Sequence, residues 1–172
     1  MRKEVQVHSL FSDFDISLFK AGKHYRLYEK FGAHILEIDG QKGVYFAVWA
    51  PSAKKVSVIG DFNYWNEDEH LLNVRWDESG IWEGFIPGVE KGAKYKYKIH
   101  SNNNDQKLEK ADPFALKCEL PPNTASIVWE LEYSWKDKKH MSSRKNKNGL
   151  DNPYSVYEIH LGSWRKNMDE NR

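Results

Sequence analysis

The stretch Gly43-Val-Tyr-Phe-Ala-Val-Trp-Ala-Pro-Ser-Ala-Lys-Lys-Val-Ser-Val-Ile-Gly-Asp-Phe-Asn-Tyr-Trp65 decides how this chain folds. Val44, Phe46 and Val48 alternate with Tyr45, Ala47 and Trp49, and the run stops at Pro51. A second run, Val56 to Ile59, ends in the turn-like Gly60-Asp61. Alternation with a period of two, punctuated by Pro and Gly, is the signature of short β-strands. Working outward, Ile81 to Ile86 follows the turn Asp77-Glu78-Ser79-Gly80 and ends at Pro87-Gly88. Tyr95, Tyr97 and Ile99 share one face of the next run, with Lys96, Lys98 and His100 on the other, and Ile127 to Leu131 closes the set. Strands at this spacing, without intervening helical segments, predict an all-β, immunoglobulin-like antiparallel β-sandwich over residues 34–133. Within it, Trp49 and Trp82 are expected in the core.

The flanks read differently. In residues 11–33, Phe11, Phe14 and Leu18, then Tyr25, Leu27, Tyr28 and Phe31, recur at spacings of three and four. That spacing predicts short N-terminal helices within residues 1–33, broken at Gly22, with Ser12 or Asp13 capping the first. Residues 134–152, with Lys136-Asp-Lys-Lys-His140 and Ser143-Arg-Lys-Asn-Lys-Asn-Gly149, are charged and without periodicity, and read as a solvated linker. The alternative is a basic contact site for phosphate or nucleic acid. From Pro153 onward, Tyr157, Ile159 and Leu161 alternate with Glu158 and His160, which predicts a strand. Ionisable groups on one face and apolar groups on the other suit an enzyme barrel, so residues 153–172 are expected to begin a further domain.

The chain has 172 residues, with 26 basic and 25 acidic side chains and a formal net charge of +1. Nucleic-acid modules gain affinity by neutralising phosphates and need a basic excess, which is missing, so a neutral partner is expected and nucleic acid is not. Cys118 is the sole cysteine, which excludes an internal disulfide and a multi-cysteine metal site. No stretch approaches the ~20 apolar residues of a membrane helix, and Met1 to Leu10 lacks a signal-peptide run. A cytoplasmic location and no membrane partner are expected.

No catalytic triad order, metal-ligand cluster, phosphate loop or nucleophile elbow is legible. The carboxylates Asp61, Asp68, Glu69, Asp77, Glu78 and Asp112 sit beside turn residues and read as backbone-bonding groups, so no catalytic residue, metal or cofactor is assigned. What stands out is aromatic surface: seven Trp and nine Tyr exceed what a core of this size needs. Sugar rings offer an apolar C–H face and a hydroxyl rim, which aromatic platforms edged by amide or charged groups recognise. Gly60-Asp-Phe-Asn-Tyr-Trp-Asn66 supplies that combination, with Phe62 pointing inward and Trp65 beyond the strand. Asn63, Trp65 and Lys96 are the candidate glucan-binding residues. On spacing alone, a packing role for Trp65 outranks the binding role, and Lys96 reads equally as a solvated charge.

The segments Gly43 to Trp65, Gly80 to Ile99 and Lys110-Ala-Asp-Pro-Phe-Ala115 resemble carbohydrate-binding module family 48. That family precedes the barrel in branching and debranching enzymes and occurs in the β subunit of AMP-activated protein kinase. Leu27-Tyr-Glu-Lys-Phe-Gly-Ala-His34 and Tyr154-Ser-Val-Tyr-Glu-Ile-His-Leu-Gly-Ser-Trp-Arg-Lys166 resemble the bacterial glycogen (1,4-α-glucan) branching enzymes in particular. The resemblance implies a retaining α-amylase-type transferase whose catalytic carboxylates lie beyond Arg172, leaving this stretch inactive. It implies α-1,4-glucan and the catalytic (β/α)8 barrel of the same polypeptide as partners, and no cofactor. It matches Trp65 to the first platform tryptophan of the kinase-type module and Lys96 to its sugar-contacting lysine. The second platform should fall near Lys107, where no Trp stands, and the module's late asparagine is replaced around Ala125-Ser126. A non-catalytic interaction module without glycan affinity, and the same module from a debranching or trehalose-releasing relative, are the alternatives.

Overall fold

A computed structural model describes residues 4–103 and 106–164, without the side chain of Leu161. It separates into two units, residues 1–131 and 132–172. In the first, helix α1 (Asp13–Lys20) and a 3-10 turn (Leu27–Glu29) precede nine strands: β1 (Gly32–Ile38), β2 (Gln41–Trp49), β3 (Ala53–Gly60), β4 (Asn73–Val74), β5 (Ile81–Pro87), β6 (Lys94–Ser101), β7 (Lys107–Lys110), β8 (Lys117–Cys118) and β9 (Ser126–Ile127). One sheet runs β1-β2-β5-β4 and the other β3-β6-β9-β8, with β7 also paired to β6. The strand pairings among the described residues are antiparallel, and the expected sandwich is what forms.

The hairpin joining β1 to β2 shows how local sequence sets register. Asp39 and Gly40 both take positive φ, the two-residue turn whose twist matches that of paired strands, so Ile38 faces Gln41 and Gly32 faces Ala47.

Strand β2 is apolar on both faces because both are covered. Val44, Phe46 and Val48 meet Val56, Val58, Ile86, Tyr95, Tyr97 and Val128 between the sheets. Tyr45 and Ala47 face the other way, with Ile81 and Phe85, beneath Phe11, Ile16 and Phe31 of the N-terminal segment. The segment is stitched to the sheet by reciprocal backbone bonds between Gln6 and Phe85 (2.8 and 2.9 Å). Ser12 caps α1 in a capping box with Asp15, and Gly22 at φ +66° ends the helical path. The second expected helix is only the 3-10 turn.

Two polar networks lie inside this unit. Asp112 is 5 % exposed and accepts hydrogen bonds from Tyr95 Oη (2.7 Å), Tyr97 Oη (3.2 Å) and the Phe114 amide (2.8 Å). Burial, only partly offset by these donors, pushes its carboxyl pKa up. Glu83 accepts from Tyr45 Oη, Ser9 Oγ (2.9 Å) and the Arg75 guanidinium (2.7 Å), which also binds Asp77 (2.8 Å). The turn Asp77-Glu78-Ser79-Gly80 thus contributes to a buried ion-pair chain as well as to the loop.

Trp82 is in the core as expected, but Trp49 is 56 % exposed. It ends β2 where the covering layer runs out, so its ring lies edge-on to Phe19 and its Nε1–H reaches Ser79 O (2.9 Å). Strand alternation assigns a face but not the extent of its cover.

In the second unit, helix α2 (Lys138–Lys147) occupies the segment expected to be irregular. None of its residues is buried. Lys, Arg and Met are good helix formers, so a helix without an apolar face forms here and leaves no periodic signature. The strand expected from Tyr154 is not formed: residues 153–160 have no regular structure and 154–160 are exposed, followed by a single helical turn, α3 (Leu161–Trp164). A strand needs a hydrogen-bonding neighbour, and none pairs with this stretch among the described residues. The rest of the expected barrel segment, 165–172, lies outside the described residues.

Candidate glucan-contact site

The site is built where β3 leaves its sheet. Gly60 closes β3, a 3-10 turn (Asp61–Asn63) follows, and Tyr64 and Trp65 then take left-handed backbone at φ +54° and +60°. Left-handed conformation costs an L-residue with a Cβ about 1–2 kcal/mol, so something must hold the loop there. Three groups do. The Trp65 amide donates to Gly60 O (2.9 Å), the Asn66 amide donates to Asn63 O (3.1 Å), and the Asn63 side chain is consumed internally. Its Oδ1 accepts the Gly60 amide (2.9 Å), while Nδ2 donates to Val58 O (2.9 Å) and lies 2.9 Å from His70 Nδ1.

Asn63 is therefore corrected from ligand contact to loop anchor. It is 2 % exposed, and its amide has nothing left to offer a sugar. Sequence reasoning put the residue on the right loop but could not see that the amide turns inward to satisfy strand groups. Phe62 does point inward, packing near Phe46 and His70.

Trp65 is 38 % exposed, so its indole is neither sealed in the core nor free in solvent. Its Nε1–H donates to Asp61 Oδ1 (3.2 Å), which restrains the indole. Asp61 is thus the acceptor that orients the indole. Its position four residues before the Trp in a tight turn was the only signal for this.

Lys96 stands directly across from Ile59 on the outer face of the second sheet, one residue before the loop begins. It is half-buried, and Glu119 feels its charge. Neighbouring Lys94 binds Glu119 (2.8 Å); that hydrogen bond raises the ammonium pKa and lowers the carboxyl pKa. The β3–β6 register thus brings Trp65 and Lys96 to one end of one sheet, with Asp61, Lys94 and Glu119 as an unforeseen charged rim. Tyr64, 95 % exposed, was also not singled out.

At the position expected for a second platform, Lys107 lies on exposed β7 and pairs with Glu67. Glu67 also meets Lys98 (3.4 Å), so this flank is an ion-pair cluster rather than an aromatic surface. Among the described residues, no group of three or more His, Cys, Asp or Glu could hold a metal ion, and no helix is long and apolar enough to cross a membrane.

The antiparallel sandwich with its aromatic loop at one sheet end places the chain in the class of immunoglobulin-like β-sandwich modules. The family model for carbohydrate-binding module 48 (isoamylase N-terminal domain) matches residues 30–115, half of the chain, and the chain belongs to that family. More particularly, it is similar to the 1,4-alpha-glucan branching enzyme GlgB of Aquifex aeolicus, 49 % identical over 94 % of this chain and 25 % of the relative. The same enzyme of Albidiferax ferrireducens is 54 % identical over 90 % of this chain and 24 % of the relative. The chain thus spans about a quarter of the length of these curated relatives. Among solved structures, the complex of Klebsiella pneumoniae pullulanase with maltotriose aligns with TM-score 0.45 at 26 % identity, covering 61 % of this chain and 10 % of that one.

Proposed function

We propose that this chain is the α-glucan-binding and barrel-packing module of a cytoplasmic 1,4-α-glucan branching enzyme. In that enzyme, segments of α-1,4-glucan are transferred to 6-hydroxyls during glycogen biosynthesis. Residues 34–133 form the module, 134–152 the connection and 153–172 the beginning of the catalytic barrel, which is the module's partner within one polypeptide. Catalysis belongs to the barrel, and this stretch carries none of it.

The observation that carries the reading is the half-exposed indole of Trp65, bonded to Asp61, on the loop that leaves β3 just after Ile59, the residue paired with Lys96. The branching enzymes at about half identity support the choice of parent over a debranching or trehalose-releasing relative. One aromatic platform contributes about 1.5–3 kcal/mol of burial, offset by the cost of association, so an isolated site binds at roughly millimolar Kd. Repeated sugars along one glucan, and tethering to the barrel, make such a weak site effective.

Titrating maltoheptaose into the 172-residue chain, with Trp65→Ala in parallel, tests this. Saturable millimolar binding that falls at least about tenfold in Trp65→Ala is expected. Equal response in both proteins removes Trp65 from the site.

A second reading, an interaction module with no glycan affinity, is favoured by the charged residue at the second platform position and by exposed Leu116 and Leu120. Its signature is apolar-dye binding that disappears when the barrel is supplied in trans, with no response to maltoheptaose.

A further inference from the structure

The outer face of the second sheet carries another tryptophan, on the far side of β6 from Trp65. In β9, Ser126 pairs with Tyr95 and Ile127 with Lys94. The extended backbone continues past β9, since the Val128 amide donates to Ala93 O (2.9 Å). Val128 is buried between the sheets, so Ile127 and Trp129 on either side of it face outward with the lysines of β6. Trp129 is half-buried there. Two ammonium groups meet its ring, Lys117 Nζ at 3.7 Å and Lys91 Nζ at 4.8 Å from the centroid, and Lys91 also reaches Glu130 (3.3 Å). A flat ring with ammonium and carboxylate groups at its edge is what a sugar's apolar face and hydroxyl rim require.

Charged groups connect the two indoles. Trp65 bonds to Asp61, the charge of Asp61 reaches Lys94, and Lys94 binds Glu119 (2.8 Å). Lys94 pairs with Ile127, whose other neighbour is Lys117, the residue on the Trp129 ring. Gly60, which accepts the Trp65 amide, lies opposite Tyr95, and Trp129 lies past Lys94 beyond β6. Two strand spacings of about 4.8 Å and some three residues of about 3.3 Å set Gly60 and Trp129 roughly 14 Å apart. That span exceeds a disaccharide and suits one longer chain reaching both rings. Lys117 is exposed, and an exposed cation–π contact is weak enough for its ammonium to exchange the ring for a hydroxyl. We propose that Trp129 is a second aromatic contact, so that one glucan chain crosses β6 between the indoles of Trp65 and Trp129, with the ammonium groups of Lys94 and Lys117 toward its hydroxyls. This rests on the glucan-binding reading of Trp65 and sets the second ring beyond β9 instead of at Lys107.

The test titrates the 172-residue chain, with nitrogen-15 in its tryptophan indoles, with maltoheptaose and with maltotriose, the two indole signals being assigned from Trp65→Phe and Trp129→Phe. Both signals are expected to move with one Kd on maltoheptaose. Trp129→Leu, which keeps apolar bulk but not the flat face, weakens that sugar about five- to tenfold. Maltotriose, too short for both rings, moves the Trp65 signal with a Kd that Trp129→Leu leaves within about twofold. If the Trp129 signal stays still while maltoheptaose saturates Trp65, Trp129 is no contact and the inference falls alone; this reading comes from the parent chain and does not depend on Trp129→Leu folding. If the two signals saturate with different Kd values, the rings serve separate chains and the shared path over β6 is overturned. If neither signal responds, the glucan-binding reading fails and this inference with it.

Discussion

Replacing Asn63 by Ala separates a loop anchor from a ligand contact. In β3, the Val58 amide donates to His70 O, so the N–H and C=O of Val58 both point away from β6, as does the amide of Gly60. The Asn63 side chain serves two of these groups, accepting from Gly60 N–H and donating to Val58 O at 2.9 Å each. Truncation leaves one donor and one acceptor buried without partners, and each such orphan costs about 1–3 kcal/mol. A net loss of about 3 kcal/mol is expected, a large share of the ~5–15 kcal/mol that holds a typical domain together. For a chain of this size that lowers the melting temperature by about 6–12 °C. Thermal unfolding followed by near-ultraviolet circular dichroism reads the shift directly. Asn63→Asp keeps the acceptor for Gly60 but sets an oxygen against Val58 O. Burial raises that carboxyl's pKa on folding, so the variant is least stable at neutral pH and recovers as the pH falls toward 4. A melting temperature for Asn63→Ala within 2 °C of the parent, coupled to weakened maltoheptaose binding, would refute the anchor argument and restore Asn63 as a sugar contact.

Further outcomes follow from the same structure. Gly60→Ala places a Cβ about 2.3 Å from Lys94 O, so β3 and β6 must part at the base of the loop; stability falls by at least ~2 kcal/mol in urea denaturation, and maltoheptaose binding falls with it. Burial opposes the charge of Asp15, but hydrogen bonds from Ser12, His24 and Lys30 outweigh it and hold the carboxyl well below the usual range. Its stabilisation is present above the unfolded value of 3.8 and lost as the pH falls below it, so Asp15→Asn flattens the acid limb of a stability-versus-pH curve while lowering the plateau. Tyr95→Phe removes the closer donor to buried Asp112 and costs about 1–3 kcal/mol, whereas Tyr97→Phe costs less, its hydroxyl lying 3.2 Å from both Asp112 and Ala47 O. Equal melting temperatures for the two Phe variants would contradict that ranking.

The alternation of Val44 to Val48 makes the sandwich legible in the sequence alone, because a strand's period of two is a local property. The same run, apolar at every position from Val44 to Ala50, also reflects a second covering layer, which becomes visible only when Phe11, Ile16 and Phe31 fold over Tyr45 and Ala47. Trp49 shows the limit: periodicity gave its face, but exposure depends on where the N-terminal segment ends. At the candidate site, residue type and strand position single out Trp65 and Lys96, and the structure sets Trp65 partly exposed on the loop after β3 and Lys96 half-buried on β6. Asn63 was misplaced because an amide on a turn can point to solvent or back to the strand, and only the three-dimensional loop decides. Asp61 reads as a turn former in the sequence because carboxylates beside Gly usually bond backbone, and its bond to the Trp65 indole appears only in the folded loop. Helix α2 left no mark because a fully solvated helix lacks the stripe that periodicity detects.

The loop that carries Trp65 has another consequence. After the turn it runs back along β3, with Ser57 bridged to Leu71 and backbone bonds from Val58 to His70 and from Leu72 to Val56. It thereby occupies the rim of the second sheet that would otherwise stand open as a template for a strand from another molecule. Shortening this loop in an engineered version would strip that guard, and the first symptom would be fibrous self-association of a still-folded protein.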